Sequence, residues 1–284
     1  MVAKRRPKHA NDSWAFNDEP RGVQSRTPSE LRTTAFLMTS AILLLAISSS
    51  LSADQGDENE TAFAVADVFF ELNDTDGDLG LQALIDGEPW QRLEIENPGG
   101  KKIFQVRATR GLAKQGLNEI FFESAEPGFD ELPPDAFLAR FPEGVYEVSA
   151  KRTGRGKLES EVPITHLLPA PPANIAANGQ VLPLDCEVET PPTVGSDVTV
   201  TWDPVDVSHP EIGMIGVPID VELYEVVVEN EALDNAVFTI VLGPDQTSID
   251  VPSQLIAAGN DFKLGLVAQE SSGNRTVVES CFAK

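Results

Sequence analysis

The sequence predicts an all-β protein in which two sandwich-like units follow one N-terminal helix. Three observations support this prediction. Apolar and polar residues alternate over short segments, which is the period of half-buried strands. Gly, Pro, Asn and Asp recur between these segments and mark turns. The 284 residues are 41% hydrophobic, which is enough to fill one large core or two of ordinary size.

Charge is distributed unevenly along the chain, whose formal net charge is −24. Residues 1–52 contain seven Lys/Arg and four Asp/Glu, so 14 of the 21 basic and 41 of the 45 acidic residues lie beyond them, a balance of −27. Such an acidic body is unsuited to nucleic acid phosphates and to an anionic lipid surface. We therefore expect no nucleic acid partner.

A hydrophobic segment separates the basic N-terminal region from the acidic body. The apolar run 35–47 follows basic residues and precedes small polar ones, as in a secretory signal peptide. Its 13 residues are fewer than the roughly 20 that cross a bilayer. An uncleaved signal anchor is a second interpretation, and a start codon assigned too early is a third.

These patterns predict a basic, disordered segment at 1–34, a signal peptide or signal-anchor helix at 35–53 and an acidic spacer at 54–61. Both the cleaved and the anchored interpretation export the acidic body. We expect a periplasmic, cell-surface or secreted protein, in contact with a membrane only through 35–53 if that helix is uncleaved.

Residues 62–168 predict the first unit. Asp86-Gly87 lies between two strand-like segments and predicts a hairpin turn, because Gly tolerates the positive φ of a tight turn. The segment 133–141 predicts a short helix that begins at a Pro, and 152–157 predicts a turn between the last two strands. Tyr146 follows a Pro/Gly corner in the penultimate strand. This position resembles the tyrosine corner of Ig-like sandwiches.

An Asp-rich stretch between the first two predicted strands raises the question of calcium. An EF-hand loop needs oxygen ligands at positions 1, 3 and 5, Gly at 6 and Glu at 12. Aligning the Gly at 77 to position 6 leaves an apolar residue at positions 1 and 12. We interpret the stretch as a turn. Weak Ca²⁺ binding by Asp74, Asp76 and Asp78 is the alternative, and no other cofactor is expected.

The Pro-rich segment 169–179 predicts a semi-rigid, extended linker. Beyond it, residues 180–284 form the second predicted unit. Trp202 ends an early strand of alternating apolar residues, Tyr224 belongs to a Tyr-x-Val strand, and a Gly/Ser/Asn turn precedes the final strand. As a set, these features resemble a fibronectin type III domain.

This resemblance implies a second Ig-like β-sandwich in tandem with the first, with Trp202 and Tyr224 in structural roles. Two features depart from the family pattern. Phe262 stands where the corner Tyr belongs and cannot supply its hydroxyl, and the loop 206–220 is unusually long. Fold resemblance of this kind does not assign a function.

Cys186 and Cys281 are the only cysteines and lie near the two ends of the second unit. In an oxidising compartment such a pair usually forms a disulfide, which we predict here. The triplets at Asn59, Asn73 and Asn274 match N-glycosylation acceptors, a pattern that also arises by chance.

No nucleophile motif accompanies the three His residues. We predict a non-catalytic interaction or structural protein that binds an extracytoplasmic protein or polysaccharide by loops or by an exposed strand edge. The alternative is a carbohydrate-active or other extracytoplasmic enzyme, or its accessory domain, with an unrecognised carboxylate site. Clustered, desolvated carboxylates in a cleft would favour the enzyme, and an exposed apolar patch the binding protein.

Overall fold

A computed structural model describes residues 60–186, 189–233 and 236–284. The predicted basic segment, the signal helix, most of the acidic spacer and Asn59 lie outside the described residues. Within those ranges, no helix is long and apolar enough to cross a membrane. The described residues belong to one compact unit, and they build two hydrophobic cores in it.

Strands make up most of the described chain. In chain order the elements are β1 (Glu60–Thr61), β2 (Val65–Asn73), β3 (Asp78–Glu96), β4 (Lys102–Arg107), α1 (Arg110–Gln115), β5 (Leu117–Glu123), α2 (Pro134–Leu138), β6 (Gly144–Arg152), β7 (Lys157–Ile164), β8 (Ala176–Ala177), β9 (Gln180–Val181), β10 (Val198–Thr201), β11 (Val221–Asn230), β12 (Val237–Leu242), β13 (Ser248–Val251), α3 (Ser253–Ala257), β14 (Asp261–Glu270) and β15 (Arg275–Ala283).

The long strand β3 organises the first sandwich. Its first half pairs with β2 and β5, and its second half pairs with β4 and β6. The sheet continues from β6 to β7, and β1 pairs in parallel with β7. Buried side chains from both halves of β3 enter the same core. The strand therefore bends around that core.

The hairpin predicted at Asp86-Gly87 is wrong, because β3 runs through this dipeptide. Glycine serves there to permit close packing. A Cβ at Gly87 would lie 3.1 Å from side-chain atoms of both Leu158 and Phe63. The sequence pattern could not distinguish a bent strand from a turn, since a small residue suits both.

Other local predictions for the first unit are confirmed. Helix α2 lies within the predicted segment and has Pro134 in its first turn. A turn joins β6 to β7, and the Asp-rich stretch forms the turn between β2 and β3. In that turn the N–H of Gly77 donates to the carbonyl of Asn73 at 2.9 Å. Gly77 has φ +68°, a conformation that glycine adopts without strain.

The second sandwich has two layers that enclose its own core. One layer has the order β13-β10-β8-β9, and the other has the order β15-β14-β11-β12. Trp202 and Tyr224 are buried between them, together with Phe262. Two antiparallel layers with this strand order form a fibronectin type III or Ig-like β-sandwich. The protein is therefore all-β with this fold.

The segment predicted as a linker is packed against the second sandwich. Strand β8 lies inside the predicted range 169–179, and Ile175 and Ala177 are buried in the second core. The N–H of Ala170 also donates to the carbonyl of Val207 at 2.9 Å. Proline prevents helix but suits an extended chain at a sheet edge, so a Pro-rich segment is free to dock there.

A parallel strand pair joins the two sandwiches into one sheet. Strand β15 pairs with β2 over three residues, and the order β3-β2-β15-β14-β11-β12 continues across the junction. In this pair Glu71 lies opposite Arg275, and Asn73 lies opposite Val277. Parallel pairing between such distant segments leaves no local pattern in the sequence, so the prediction of two separate units did not include it.

The unusually long loop 206–220 supports the same junction. Ile212 belongs to this loop but is buried in the first core. The N–H of Met214 donates to the carbonyl of His166 at 2.9 Å. Gly213 has φ +70° and lies so close to this carbonyl that a Cβ would be 2.1 Å from its oxygen. The departure from the family pattern thus attaches the second sandwich to the first.

Candidate functional site

The shared sheet has a surface that points away from both cores, which we call the outer face. One row of directly opposed residues crosses six strands of this face from β3 to β12: Asp78, Asn73, Val277, Val267, Glu225 and Val241. Strand β5 adds a seventh strand, with Glu123 opposite Gln82. Parallel and antiparallel strands alternate side chains between faces, so every second residue of these strands contributes to the outer face.

Carboxylates dominate the outer face. Those that alternate with core residues are Asp67, Glu71, Asp78, Asp86, Glu119, Glu123, Glu225, Glu229, Asp261 and Glu279. Arg275 and Lys263 are the only Lys or Arg residues in these seven strands, when β3 is counted from Asp78 to Asp86. Lys263 pairs with Glu279 at 2.5 Å, and the Arg275 guanidinium lies 4.5 Å from the centre of the Phe69 ring. The face is therefore strongly acidic.

A loop after β5 brings one more carboxylate over the sheet. The N–H of Ser124 donates to the carbonyl of Leu81 at 2.9 Å, and Gly128 forms a bridge with Asp78, so the loop follows the edge of β3. The side chain of Glu126 then lies over Gly80. A Cβ at Gly80 would be 2.3 Å from Glu126 Oε1. Glycine at position 80 is what allows Glu126 to lie there.

Burial and like charge raise the pKa values of this carboxylate group. Desolvation first, and then the charges of Glu123 and Asp78, raise the pKa of Glu126 to about 8. Desolvation, followed by Asp76 and Glu279, raises the pKa of Asp78 to about 7. Burial also raises the pKa of Glu71. Asp78 and Glu126 therefore hold protons near neutral pH and would release them to a cation that binds nearby.

Exposed apolar side chains lie at both ends of the outer face. Phe121 on β5 is 55% exposed. At the other end, Val237 and Val241 on β12 are 47% and 58% exposed. Large apolar residues exposed on a sheet surface are a feature of interaction surfaces. The face can therefore make both charged and apolar contacts.

The three Asp residues considered for calcium have different neighbours. Asp74 Oδ1 lies 2.9 Å from His209 Nε2, and Asp76 Oδ2 accepts a hydrogen bond from Asn73 Nδ2 at 3.2 Å. Asp78 belongs to the outer face. No group of three or more His, Cys, Asp or Glu able to hold a metal ion occurs in the described part of the chain. Calcium binding by this turn stays a prediction.

The hydrogen bonds around His209 determine its tautomer. Nδ1 accepts hydrogen bonds from the N–H groups of Glu211 and Ile212, at 3.1 and 3.0 Å. Nε2 must then carry the proton and donate it to Asp74. His209 therefore connects the long loop of the second sandwich to the turn between β2 and β3.

The residues with predicted structural roles lie in the two cores. Tyr146 Oη donates to the carbonyl of Pro142 at 2.9 Å, the hydrogen bond of a tyrosine corner, and burial raises its pKa to about 12. Tyr224 Oη accepts from the N–H of Val205 at 2.8 Å. Its ring lies edge-on to that of Trp202, with the centroids 5.4 Å apart.

Phe262 has no hydroxyl and stacks instead on Phe282, with ring centroids 5.2 Å apart. Cys186 and Cys281 form the predicted disulfide, which links the loop after β9 to β15. Trp202 Nε1 is buried without a hydrogen-bond partner. These residues hold the second sandwich together and do not contribute side chains to the carboxylate group.

Asn274 is a junction residue whose role the sequence did not reveal. Its Oδ1 accepts from the N–H of Phe70 at 2.9 Å, and its Nδ2 donates to the carbonyls of Thr165 and Leu167 at 3.0 and 2.9 Å. It is 2% exposed. Asn73 is also buried, and its Nδ2 donates to Glu279. Neither amide is accessible for the glycosylation that its triplet suggested.

No family model and no curated protein sequence matches the chain. The FN1–FN3 domains of chicken CNTN1 are 12% identical, over 80% of this chain and 65% of that one, with a TM-score of 0.32. The fibronectin(III)-like modules of Clostridium thermocellum CbhA are 13% identical, over 78% and 90%, with a TM-score of 0.27. Part of a 1.5-MDa bacterial ice-binding adhesin is 11% identical, over 79% and 65%, with a TM-score of 0.24.

The chain spans about 65% of the length of the CNTN1 and adhesin structures. These identities and TM-scores are low. The fibronectin type III or Ig-like assignment accordingly stands on the strand order and on the two cores.

Proposed function

We propose that the protein is an extracytoplasmic, non-catalytic interaction module whose outer face binds a cationic surface of another protein. The observation that carries this proposal is the seven-strand outer face, on which carboxylates far outnumber cations and apolar side chains are exposed at both ends. The disulfide between Cys186 and Cys281 supports a location in an oxidising compartment.

Electrostatic complementarity favours a basic partner. The charge of Asp78 raises the pKa of Glu126, and the charges of Glu71 and Glu123 raise the pKa of both groups. A Lys or Arg placed beside these carboxylates would relieve the repulsion and steer the two surfaces together. Proton release accompanies such binding, so affinity would rise with pH between about 5 and 8 and fall with added salt.

Apolar contacts at the two ends would complement the charged centre. Interfaces combine an apolar part, from which water is excluded, with polar groups that set orientation. Phe121 and Val241 are exposed at opposite ends of the face. A polysaccharide is less suited, because the Phe69 ring, a candidate platform for a sugar, is covered by Arg275.

The test measures the affinity of the protein for a fluorescent oligolysine peptide by anisotropy near neutral pH. The face variant is Glu71→Gln/Asp78→Asn. The control variant is Glu147→Gln/Glu161→Gln, which likewise replaces two carboxylates, at exposed positions of β6 and β7. We expect the face variant to bind about tenfold more weakly and the control to change little. Equal weakening by both variants would show that net charge alone causes the binding.

General acid catalysis by the carboxylate group is a second candidate function. The observation in its favour is that Asp78 and Glu126 have pKa values of about 7 and about 8, which suit proton donation near neutral pH. The test is hydrolysis of a panel of aryl glycosides by the wild type and by Asp78→Asn and Glu126→Gln. If the wild type hydrolyses a glycoside and both substitutions abolish this activity, general acid catalysis is supported. Equal rates in the wild type and the two variants would exclude it.

A further inference from the structure

Strand β12 forms one edge of the shared sheet. Among the described strands it pairs only with β11. Its six residues, Val-Phe-Thr-Ile-Val-Leu, include no charged residue and no proline. The N–H and C=O groups on the open side of such a strand are available to pair with another strand. β12 is therefore an unprotected template for strand addition.

The other edges of the described sheets are protected. Each edge strand longer than two residues carries a charge, and β1 and β9 are only two residues long. The charged residues on the longer edges are Lys102 and Arg107 on β4, Glu119 and Glu123 on β5, and Asp250 on β13. Charged side chains on an edge are a common means of preventing unwanted pairing. An uncharged β12 in a chain that is 23% charged is consistent with an edge that is covered in the working protein.

We propose that β12 pairs in antiparallel fashion with β12 of a second copy, so that the two shared sheets become one. The strand is complementary to itself in one register. When Thr239 lies on the twofold axis, Val237 of one copy lies opposite Val241 of the other, and these two exposed side chains cover each other. A register centred on Ile240 would instead place Val237 opposite Gly243.

The acidic outer faces do not prevent this pairing. Of the outer-face carboxylates, Glu225 and Glu229 are nearest to this edge, and they lie on β11, one strand inside it. Three strand spacings of about 4.8 Å would separate the β11 strands of the two copies, which gives about 14 Å. This distance exceeds the Debye length of about 8 Å at physiological ionic strength, so the repulsion between the two rows is largely screened.

The expected dimer is weak. Stable interfaces bury about 1,200–2,000 Å² in total, and a pair of six-residue strands forms only a small part of such an area. We therefore expect reversible association at micromolar to millimolar concentrations. This inference does not depend on what the outer face binds, because the hydrogen bonds that it uses lie on the edge of β12.

Sedimentation equilibrium of the purified full chain tests the proposal over that concentration range. The variants are Thr239→Lys and Thr239→Glu, both at an exposed position, with Phe121→Lys on β5 as the matched control. Each Thr239 variant places like charges opposite each other at the twofold axis, so we expect its dimer to be weakened roughly fivefold or more. Mixing the two variants places Lys opposite Glu and restores association.

Association of the wild type, loss in both single variants and recovery in the mixture would support the proposal. A wild type that is monomeric at the highest concentration would overturn it and would leave a strand from a different protein as the occupant of the edge. Equal weakening by Phe121→Lys, or no recovery in the mixture, would also overturn it. Circular dichroism of each variant shows that the fold is retained.

Discussion

The first sandwich uses a tyrosine hydroxyl where the second uses a disulfide. Tyr146 donates to the carbonyl of Pro142 and so fixes the chain that enters β6. At the corresponding corner of the second sandwich, Phe262 makes only ring contacts, and the bond between Cys186 and Cys281 fixes the neighbouring strand β15. A covalent link can therefore replace a corner hydrogen bond within the same fold.

The two sandwiches are also unequal at their junction. The second sandwich provides Ile212 to the first core and Asn274 to the backbone of the first sandwich, whereas the described residues of the second core all belong to the second sandwich. The first sandwich is therefore completed by the second. Substitutions at the junction and at the two corners test this difference.

Removal of the disulfide by Cys186→Ser/Cys281→Ser is expected to have the largest effect. The two cysteines are 95 residues apart, and in the chain-entropy model the loss of such a cross-link lowers the free energy of unfolding by about 4–5 kcal/mol. Urea denaturation measures this change. Reduction of the wild type is the control and should give the same loss. A change below about 1 kcal/mol would mean that the second sandwich does not depend on this bond.

Substitution of Asn274 by Ala tests the junction. It leaves the buried N–H of Phe70 and two backbone carbonyls without their partner, so we expect a loss of about 2–3 kcal/mol in the free energy of unfolding. Asn97→Ala is the control, because Asn97 makes similar side-chain bonds to backbone N–H groups in an exposed turn. An equal effect of the two substitutions would contradict the role given to Asn274.

Exchanging the two corner residues tests whether each corner depends on the residue that it has. Phe262→Tyr places a hydroxyl in a fully buried, stacked site and should cost about 1–3 kcal/mol. Tyr146→Phe removes one hydrogen bond and should cost about 1 kcal/mol. Chemical denaturation of both variants provides the values. If Phe262→Tyr instead raised the free energy of unfolding, the second sandwich would contain a hydrogen-bond acceptor for a tyrosine hydroxyl at this corner.

The outer face should give a smaller effect, visible as a dependence of stability on pH. The pKa values of Asp78 and Glu126 are raised to about 7 and about 8, so the folded state binds protons that the unfolded state has lost. Stability is then greatest at low pH and declines as the pH rises from about 4 to about 8. We expect the melting temperature to fall across this range and to fall less in Asp78→Asn/Glu126→Gln. If the melting temperature fell equally with pH in the wild type and in the variant, the raised pKa values of Asp78 and Glu126 would be contradicted.

Local chemistry in the sequence predicted local structure well. The proline at the start of α2, the turn between β6 and β7 and the disulfide each depend on a few residues with a strong preference. The alternation that ends at Trp202 predicted a buried face of the second sandwich because strand side chains alternate with period two. Such signals can be read without knowing what lies opposite the strand.

The long-range features could not be predicted from the same sequence. The pairing of β2 with β15 joins segments about 200 residues apart, and no local pattern specifies it. Gly87 suggested a turn, yet it permits a close contact inside the sheet, as Gly80 does. The carboxylates of the outer face were hidden among many others, and only the sheet brings Asp78 and Glu126 together.

The two sandwiches share one sheet, so we expect them to unfold together. Trp90 is buried in the first core and Trp202 in the second, so fluorescence of single-tryptophan variants reports on each core separately. The variants are Trp14→Phe combined with either Trp202→Phe or Trp90→Phe. We predict that in each variant the urea transition by fluorescence coincides with that by circular dichroism, as one cooperative unit requires. Circular dichroism that shows two steps, with each tryptophan following only one, would contradict the account.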